Sequence, residues 1–223
     1  MDGNGRWAKE RGWSRSEGHR LGTENVRRVV RALAKRGVSY VTIYAFSTEN
    51  WDRPAHEVHS LMELLGRTIE SETSVLHAEG VRIRHLGRLD RLPESLQAAV
   101  ERSVELTRHN NTITLSVAFD YGGREEIVGA ARRLIESGID ARDLTEQMLA
   151  AELYTAGMPD PDLIIRTAGE MRLSNFLLWQ SAYAEYYSTS TLWPDFDEAD
   201  LELALEEYER RQRRFGRIEA AAP

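Results

Sequence analysis

Residues 162–193 read DLIIRTAGEMRLSNFLLWQSAYAEYYSTSTLW, which sets Arg166, Arg172, Ser174, Asn175 and Glu185 among Phe176, Leu177, Leu178, Trp179, Tyr183, Tyr186 and Tyr187. Ionic groups inside an aromatic run need partners that offset their desolvation. Two readings follow. In one, arginine and glutamate pair internally and serve structure alone. In the other, two guanidinium forks and a hydroxyl present converging donors that suit phosphate oxygens. A second cluster of the same kind would favour the ligand.

The N-terminal residues MDGNGRWA offer such a cluster. Glycines on either side of Asn4 free backbone amides for close approach to an anion. Lys9, Arg11, Arg15, His19 and Arg20 follow, a local concentration of basic groups. A short G-x-G is a weak motif, and by itself it reads as an ordinary turn. Two more polar stretches, STENWDRP at 47–54 and DYGGR at 120–124, each follow an apolar, β-branched run.

The elements that must position these groups alternate. Val26, Val29, Val30 and Leu33 have helical spacing, predicting a helix over 23–36, and Gly37 stands where a C-cap belongs. A buried strand is predicted over 38–46, an amphipathic helix over 57–77, a strand over 81–86 and a helix over 93–108. A strand over 112–119, helices over 125–137 and 145–153, a strand from Leu163, a last short strand over 189–192 and a helix over 199–214 complete the order. Such alternation predicts an α/β fold with a mainly parallel central sheet flanked by helices. Ligands of such sheets bind beyond the carboxyl ends of the strands. The polar stretches at 47–54, 120–124 and 166–174 stand at those ends. By the same rule residues 2–6 should follow a strand, so a short strand is expected upstream, outside this sequence.

The 223 residues suit one well-cored domain, with 217–223 read as a disordered tail. The net charge of −7 argues against a nucleic-acid binder, whose footprint is a basic face. The absence of cysteine excludes disulfides, thiolate metal sites and a cysteine nucleophile. No apolar run has membrane-spanning length, so a soluble, cytoplasmic protein is expected.

The blocks MDGNGRWA, Gly18-His19, YAFSTENWDRP, YGGREEIV, IRTAGEMRLSNFLLWQSAYAEYY and LWPDF, in that order over residues 1–196, resemble the cis-prenyltransferase family of the undecaprenyl diphosphate synthase type. The resemblance implies condensation of isopentenyl diphosphate with an allylic diphosphate, geranyl or farnesyl, to a (Z)-polyprenyl diphosphate. It implies Asp2 as the carboxylate that binds Mg²⁺ and assists diphosphate departure, with Asn50 as a second catalytic residue. Gly3, Asn4, Gly5, Arg6, Trp7, Arg15 and His19 would hold the allylic diphosphate. Ser47, Thr48, Glu49, Trp51 and Arg53 would position the condensing substrates. Arg166, Arg172 and Ser174 would hold the diphosphate of isopentenyl diphosphate, and Glu185 would be the second Mg²⁺-linked carboxylate. Arg214-Phe215-Gly216 resembles the family's RxG element, which reaches the neighbouring subunit of a homodimer.

The apolar faces of the helices at 23–36 and 57–77, with the strand at 38–46, are expected to line a tunnel for the growing chain. Release of such a product implies contact with a membrane surface. Asp120 stands where the family usually has Asn, and Ala168 where it usually has Ser or Gly. Ala45 is small where a tunnel wall is expected, favouring a medium or long product. A short-chain or irregular (Z)-prenyl diphosphate synthase would look similar, and two other readings stand beside these. One is a non-catalytic subunit of a cis-prenyltransferase complex, which typically lacks the Gly-loop Asp. The other is an unrelated phosphate-binding α/β protein.

Overall fold

The computed structural model describes residues 1–211, so Arg214, Gly216 and the tail at 217–223 lie outside the described residues. The chain opens on a helix where the sequence predicts a loop: α1 spans Asn4–Glu10 and buries Trp7 and Ala8. Gly3 precedes it at φ 108°, a backbone region where a Cβ is strained, and a Cβ there would stand 2.9 Å from Leu192 Cδ2. The glycine therefore starts a helix here.

The second helix, α2, spans Arg15–Lys35 and begins well before residue 23. The apolar period starts only at Val26, whereas Ser14 caps the helix by accepting a hydrogen bond from the Glu17 amide. Its first turns pack through glycine. A Cβ on Gly18 would fall 2.2 Å from the Asn4 carbonyl oxygen, and one on Gly22 would fall 2.4 Å from Asn4 Oδ1. These two glycines let α1 lie directly on α2.

Strand β1 spans Tyr40–Ser47 and leads through a 3₁₀ turn, Thr48–Asp52, into α3, Ala55–Ala78. Then come β2 at Val81–Leu86, α4 at Glu94–Thr107, β3 at Ile113–Tyr121 and α5 at Gly123–Glu136. The short helix α6 at Glu146–Ala151 precedes β4 at Leu163–Arg166, β5 at Glu185–Ser188 and α7 at Glu198–Arg210. Each helix follows its apolar stripe, and β3, between two strands, is apolar almost throughout.

All strand pairs are parallel, as alternation requires, but the described strands form two sheets where one was predicted. The larger has the order β1-β3-β2 and the smaller pairs β4 with β5. Both β1 and β4 border one wide cleft, which separates the sheets. The predicted strand at 189–192 is replaced by β5, which begins earlier, at Glu185. Residues 189 and 191 brace a loop: their carbonyls accept from the amides of Gly169 and Ala168 at 2.8 and 2.9 Å. A β-prone segment is thus used to hold site backbone.

One core cluster joins Val29, Val30 and Leu33 of α2 to Ile113 and Leu115 of β3, with Trp193 and Phe196. A second joins Val58 and Met62 of α3 to Phe46, Phe119, Leu92 and Leu96. These two clusters fix the carboxyl ends of β1 and β3, from which two of the polar loops emerge. Among the described residues no helix is long and apolar enough to cross a membrane.

Candidate active site

Asp2 sits where the two halves of the chain meet. Its amide donates to Thr167 Oγ1 at 2.9 Å, Thr167 Oγ1 donates to its carbonyl at 2.8 Å, and the Trp193 amide donates to the same carbonyl at 3.0 Å. Its carboxylate accepts from Arg166 Nε at 2.8 Å. Arg166 in turn donates through Nη1 to Ser174 Oγ at 3.1 Å. The first and the last of the polar stretches are therefore one constellation, joined across a cleft of about 1550 Å³.

The cleft is lined by Asp2, Gly3, Asn4, Gly5, Arg6, Arg15, His19, Ser47, Asn50, Arg53, Arg166, Arg172 and Ser174. Within it each arginine is held by a local acceptor. Arg6 donates to the Ala168 carbonyl at 3.1 Å and to Glu170 Oε1 at 3.5 Å, while Arg172 pairs with the other Glu170 oxygen. Arg15 and Arg53 share Glu57 Oε1, at 3.5 and 3.0 Å. Gly5 leaves room for Arg15, since a Cβ there would stand 3.2 Å from Arg15 Nε. Arg6, Arg15 and Arg172 remain more than half exposed, free to meet an anion.

The loop from Arg166 is held in strained backbone. Ala168, Ser174, Asn175 and Leu177 all have positive φ, 67°, 50°, 64° and 44°. Non-glycine residues persist there only when their surroundings over-determine them. Asn175 supplies much of that restraint: its side chain donates to Glu49 at 2.8 Å and accepts from the Arg124 amide at 2.9 Å. Gly122 and Gly123 belong to the same junction, for added Cβ atoms would meet Thr48 Oγ1 at 2.6 Å and Leu178 Cγ at 2.9 Å. The YGG motif serves close packing of three loops.

At the inner end of the cleft the lining turns apolar. A second cavity of about 190 Å³ lies between α2, α3 and the carboxyl halves of β1 and β3, walled by Leu61, Leu65, Ile69, Ala45, Phe46 and Val117. It shares Asn4, His19, Ala45, Phe46 and Leu61 with the cleft. At this boundary Asn4 Oδ1 and His19 Nε2 are buried and find no hydrogen-bond partner among the described residues. Burial holds the His19 pKa below its usual value, and the Arg53 and Arg15 charges push the same way against the Glu57 carboxylate. His19 is thus a neutral imidazole beside arginines.

Several predicted site residues are engaged elsewhere. Trp7 is buried, with its indole donating to Asp195 at 2.7 Å and Arg11 stacked 4.1 Å from its ring centre. The Trp51 indole donates to Asp120 at 2.7 Å. Thr48 packs on Gly122, and Glu49 takes the Asn175 amide. Burial by itself would raise Glu49, but hydrogen bonds from its own backbone and from Asn175 hold it below the usual carboxylate range. These residues build the cleft without lining it.

Glu185 is not brought to Asp2. It pairs in register with Leu163, whereas Arg166, which holds Asp2, pairs with Ser188. Three strand residues at about 3.3 Å each put roughly 10 Å between those two levels. Arg211 takes the Glu185 carboxylate at 2.8 Å instead. Conversely, Thr167, Glu57 and Glu170 belong to the site without standing out in the sequence. The A-x-x-V period of α3 hides Glu57, and its place in the first turn of that helix, four residues after Arg53, is the one local sign of its role.

Chemically the arrangement offers a floor of backbone amides at a helix start, two sets of guanidinium groups with the carboxylates of Asp2, Glu57 and Glu170 among them, and an apolar recess. The Prenyltransf family model, which describes undecaprenyl diphosphate synthases, matches residues 1–216. An isoprenyl transferase of Clostridium perfringens is 50% identical over 222 residues, spanning 98% of this chain and 88% of its own length. One from Fusobacterium nucleatum is 50% identical over 218 residues, spanning 98% of this chain and 94% of its own. The crystal structure of lavandulyl diphosphate synthase from Lavandula x intermedia, in complex with dimethylallyl diphosphate, superposes with a TM-score of 0.93 at 38% identity, covering 97% of this chain and 95% of that one. With matches over nearly its whole length, this chain belongs to the undecaprenyl diphosphate synthase family and is an enzyme that transfers prenyl groups.

Proposed function

We propose that the chain condenses isopentenyl diphosphate with an allylic diphosphate, geranyl or farnesyl, and repeats the step to give a (Z)-polyprenyl diphosphate of medium or undecaprenyl length. The observation that carries this reading is the meeting of two arginine sets, with Glu170 bridging Arg6 and Arg172 beside the Asp2–Arg166 contact, at the mouth of an apolar cavity. Arg6, Arg15 and the amides of 3–5 receive the allylic diphosphate. Arg166, Arg172 and Ser174 receive that of isopentenyl diphosphate.

In each step the allylic C1–O bond breaks and the diphosphate departs with the electron pair. The double bond of isopentenyl diphosphate attacks C1, and loss of a C2 proton sets the new cis double bond. Preorganised donors stabilise the departing charge, and the two clamps hold the reacting carbons in line. Neutral His19 faces the apolar boundary and can donate or accept at Nε2 without adding charge.

Mg²⁺ fits this site in the manner usual for the ion, through one carboxylate and substrate phosphate oxygens. Asp2 would hold it, being half-exposed among the arginines. Among the described residues no group of three or more acidic or histidine ligands forms an all-protein cage. Bound there, the ion would supply charge neutralisation to the leaving diphosphate. The reading further takes two copies as a homodimer that releases its product at a membrane surface.

A second reading, a short or irregular (Z)-product, is favoured by the likeness to lavandulyl diphosphate synthase. Incubation with Mg²⁺, labelled isopentenyl diphosphate and geranyl, farnesyl or dimethylallyl diphosphate, with chain-length and double-bond analysis, separates the two. A ladder of (Z)-polyprenyl products is expected. A single branched C10 product, with or without the isopentenyl label, would establish the second reading, and no prenyl diphosphate product from any primer would refute both.

A further inference from the structure

Asp120, the penultimate residue of β3, has φ 52°, and its side chain is fully buried. Its Oδ1 accepts from the Trp51 indole N–H at 2.7 Å and from Arg91 Nη2, and its Oδ2 accepts from Arg91 Nε at 2.8 Å. The Arg91 guanidinium also stands 5.5 Å from the Trp51 ring centre. Two separate connections therefore close on one carboxylate at the end of a strand. Trp51 comes from the link between β1 and α3, Arg91 from that between β2 and α4, and Asp120 is the penultimate residue of β3.

Trp51 shares its 3₁₀ turn with Asn50, which lines the cleft, and Asn50 Oδ1 accepts from the Ser47 amide at 3.1 Å. The Trp51 ring also stands edge-on to Phe46, 5.4 Å between centres, and Phe46 walls both the cleft and the apolar cavity. Whatever fixes Trp51 fixes a polar wall and an apolar wall together.

We propose that Asp120, with Arg91, is a positioning residue for the condensation: it locks Trp51 and so sets the placement of Asn50 and Phe46 around the reacting carbons. The proposal rests on the function proposed above. All three donors need acceptors, which a carboxylate provides on both oxygens. Asparagine keeps one acceptor and turns an NH₂ group toward Arg91 Nε, so the fork loses one bond and the indole donates to a neutral amide oxygen in place of a carboxylate oxygen.

The test compares wild type with Asp120→Asn, Trp51→Phe and the double variant, assayed well below their melting temperatures. Asp120→Asn is expected to lower kcat about tenfold, while KM for isopentenyl diphosphate stays within about twofold. If Asp120 acts through Trp51, the double variant is no slower than the slower single variant. The Trp51 indole N–H resonance, assigned by its loss in Trp51→Phe, moves upfield in Asp120→Asn. Wild-type kcat in Asp120→Asn, multiplicative losses in the double variant, or an unmoved indole resonance overturns the proposal. Should Asp120→Asn fail to fold, Arg91→Met carries the same comparison from the partly exposed side of the pair. A wild type that condenses nothing refutes the functional reading alone, and the indole shift still decides whether Asp120 holds this wall.

Discussion

Asp2 has the smallest set of contacts that explains its place: both ends of its backbone unit are tied to Thr167 and its carboxylate to Arg166. Asp2→Ala should therefore keep the fold and lower kcat by about 100-fold or more, since charge stabilisation at the leaving group is lost. Retained activity in that variant, measured by labelled isopentenyl diphosphate incorporation, would refute the mechanism. Arg172→Ala should act differently, raising KM for isopentenyl diphosphate about tenfold or more, because a charge-assisted contact made in the ground state is removed. An unchanged KM would place the second diphosphate elsewhere. His19 gives a pH dependence. Its folded pKa lies below the usual 6.5, chiefly through burial. The stability it contributes is present above the unfolded value and is lost as pH falls through the folded one. The urea midpoint should fall as the pH drops below about 6.5, and less steeply in His19→Asn. Equal slopes in the two proteins would show that His19 is not the group being titrated.

At the scale of elements, the site depends on how closely α1 lies on α2. Gly18 is the contact point, and its missing Cβ makes room for the Asn4 carbonyl. Gly18→Ala should force the two helices apart and destabilise the protein by about 1–3 kcal/mol, the usual range for overpacking. Since Asn4 and His19 move with those helices, loss of activity should accompany the lower urea midpoint. A Gly18→Ala protein with wild-type stability would mean that α1 docks more loosely than this geometry shows. The α3 helix has a second duty at its first turn, where Glu57 gathers Arg15 of α2 and Arg53, the residue after the 3₁₀ turn. Here a helix position that looks like ordinary surface charge orders two cations of the cleft.

For the whole molecule, the cleft is the organising feature, with β1 on one side, β4 on the other and the apolar cavity at its inner end. The functional reading requires Mg²⁺, so chelation should abolish condensation and added Mg²⁺ should restore it. Recovery in chelator alone would remove the ion from the scheme. It also takes the protein as a homodimer. Sedimentation at micromolar concentration should give about twice the monomer mass of 25.4 kDa. A monomer that turns over substrate would show that one chain completes the site. Such a result would bear directly on Glu185, which stands away from Asp2 within the chain and is taken by Arg211.

Read without coordinates, the chain already determines its alternation of strands and helices, the parallel sense of the sheets and the polar stretches at strand ends. These follow from apolar periodicity, caps and turn residues, which act over a few positions. The motif blocks also carry the family. Only the tertiary structure decides which polar groups face the cleft and which are used up in building it. Trp7, Thr48, Glu49 and Trp51 look like substrate contacts in one dimension, yet they find Asp195, Gly122, Asn175 and Asp120 as partners. Likewise Asp2 meets Thr167, 165 residues away, and Arg166 close beside it. A buried polar group must take a partner, and which one it takes depends on the folding of distant segments onto each other, which no local pattern encodes.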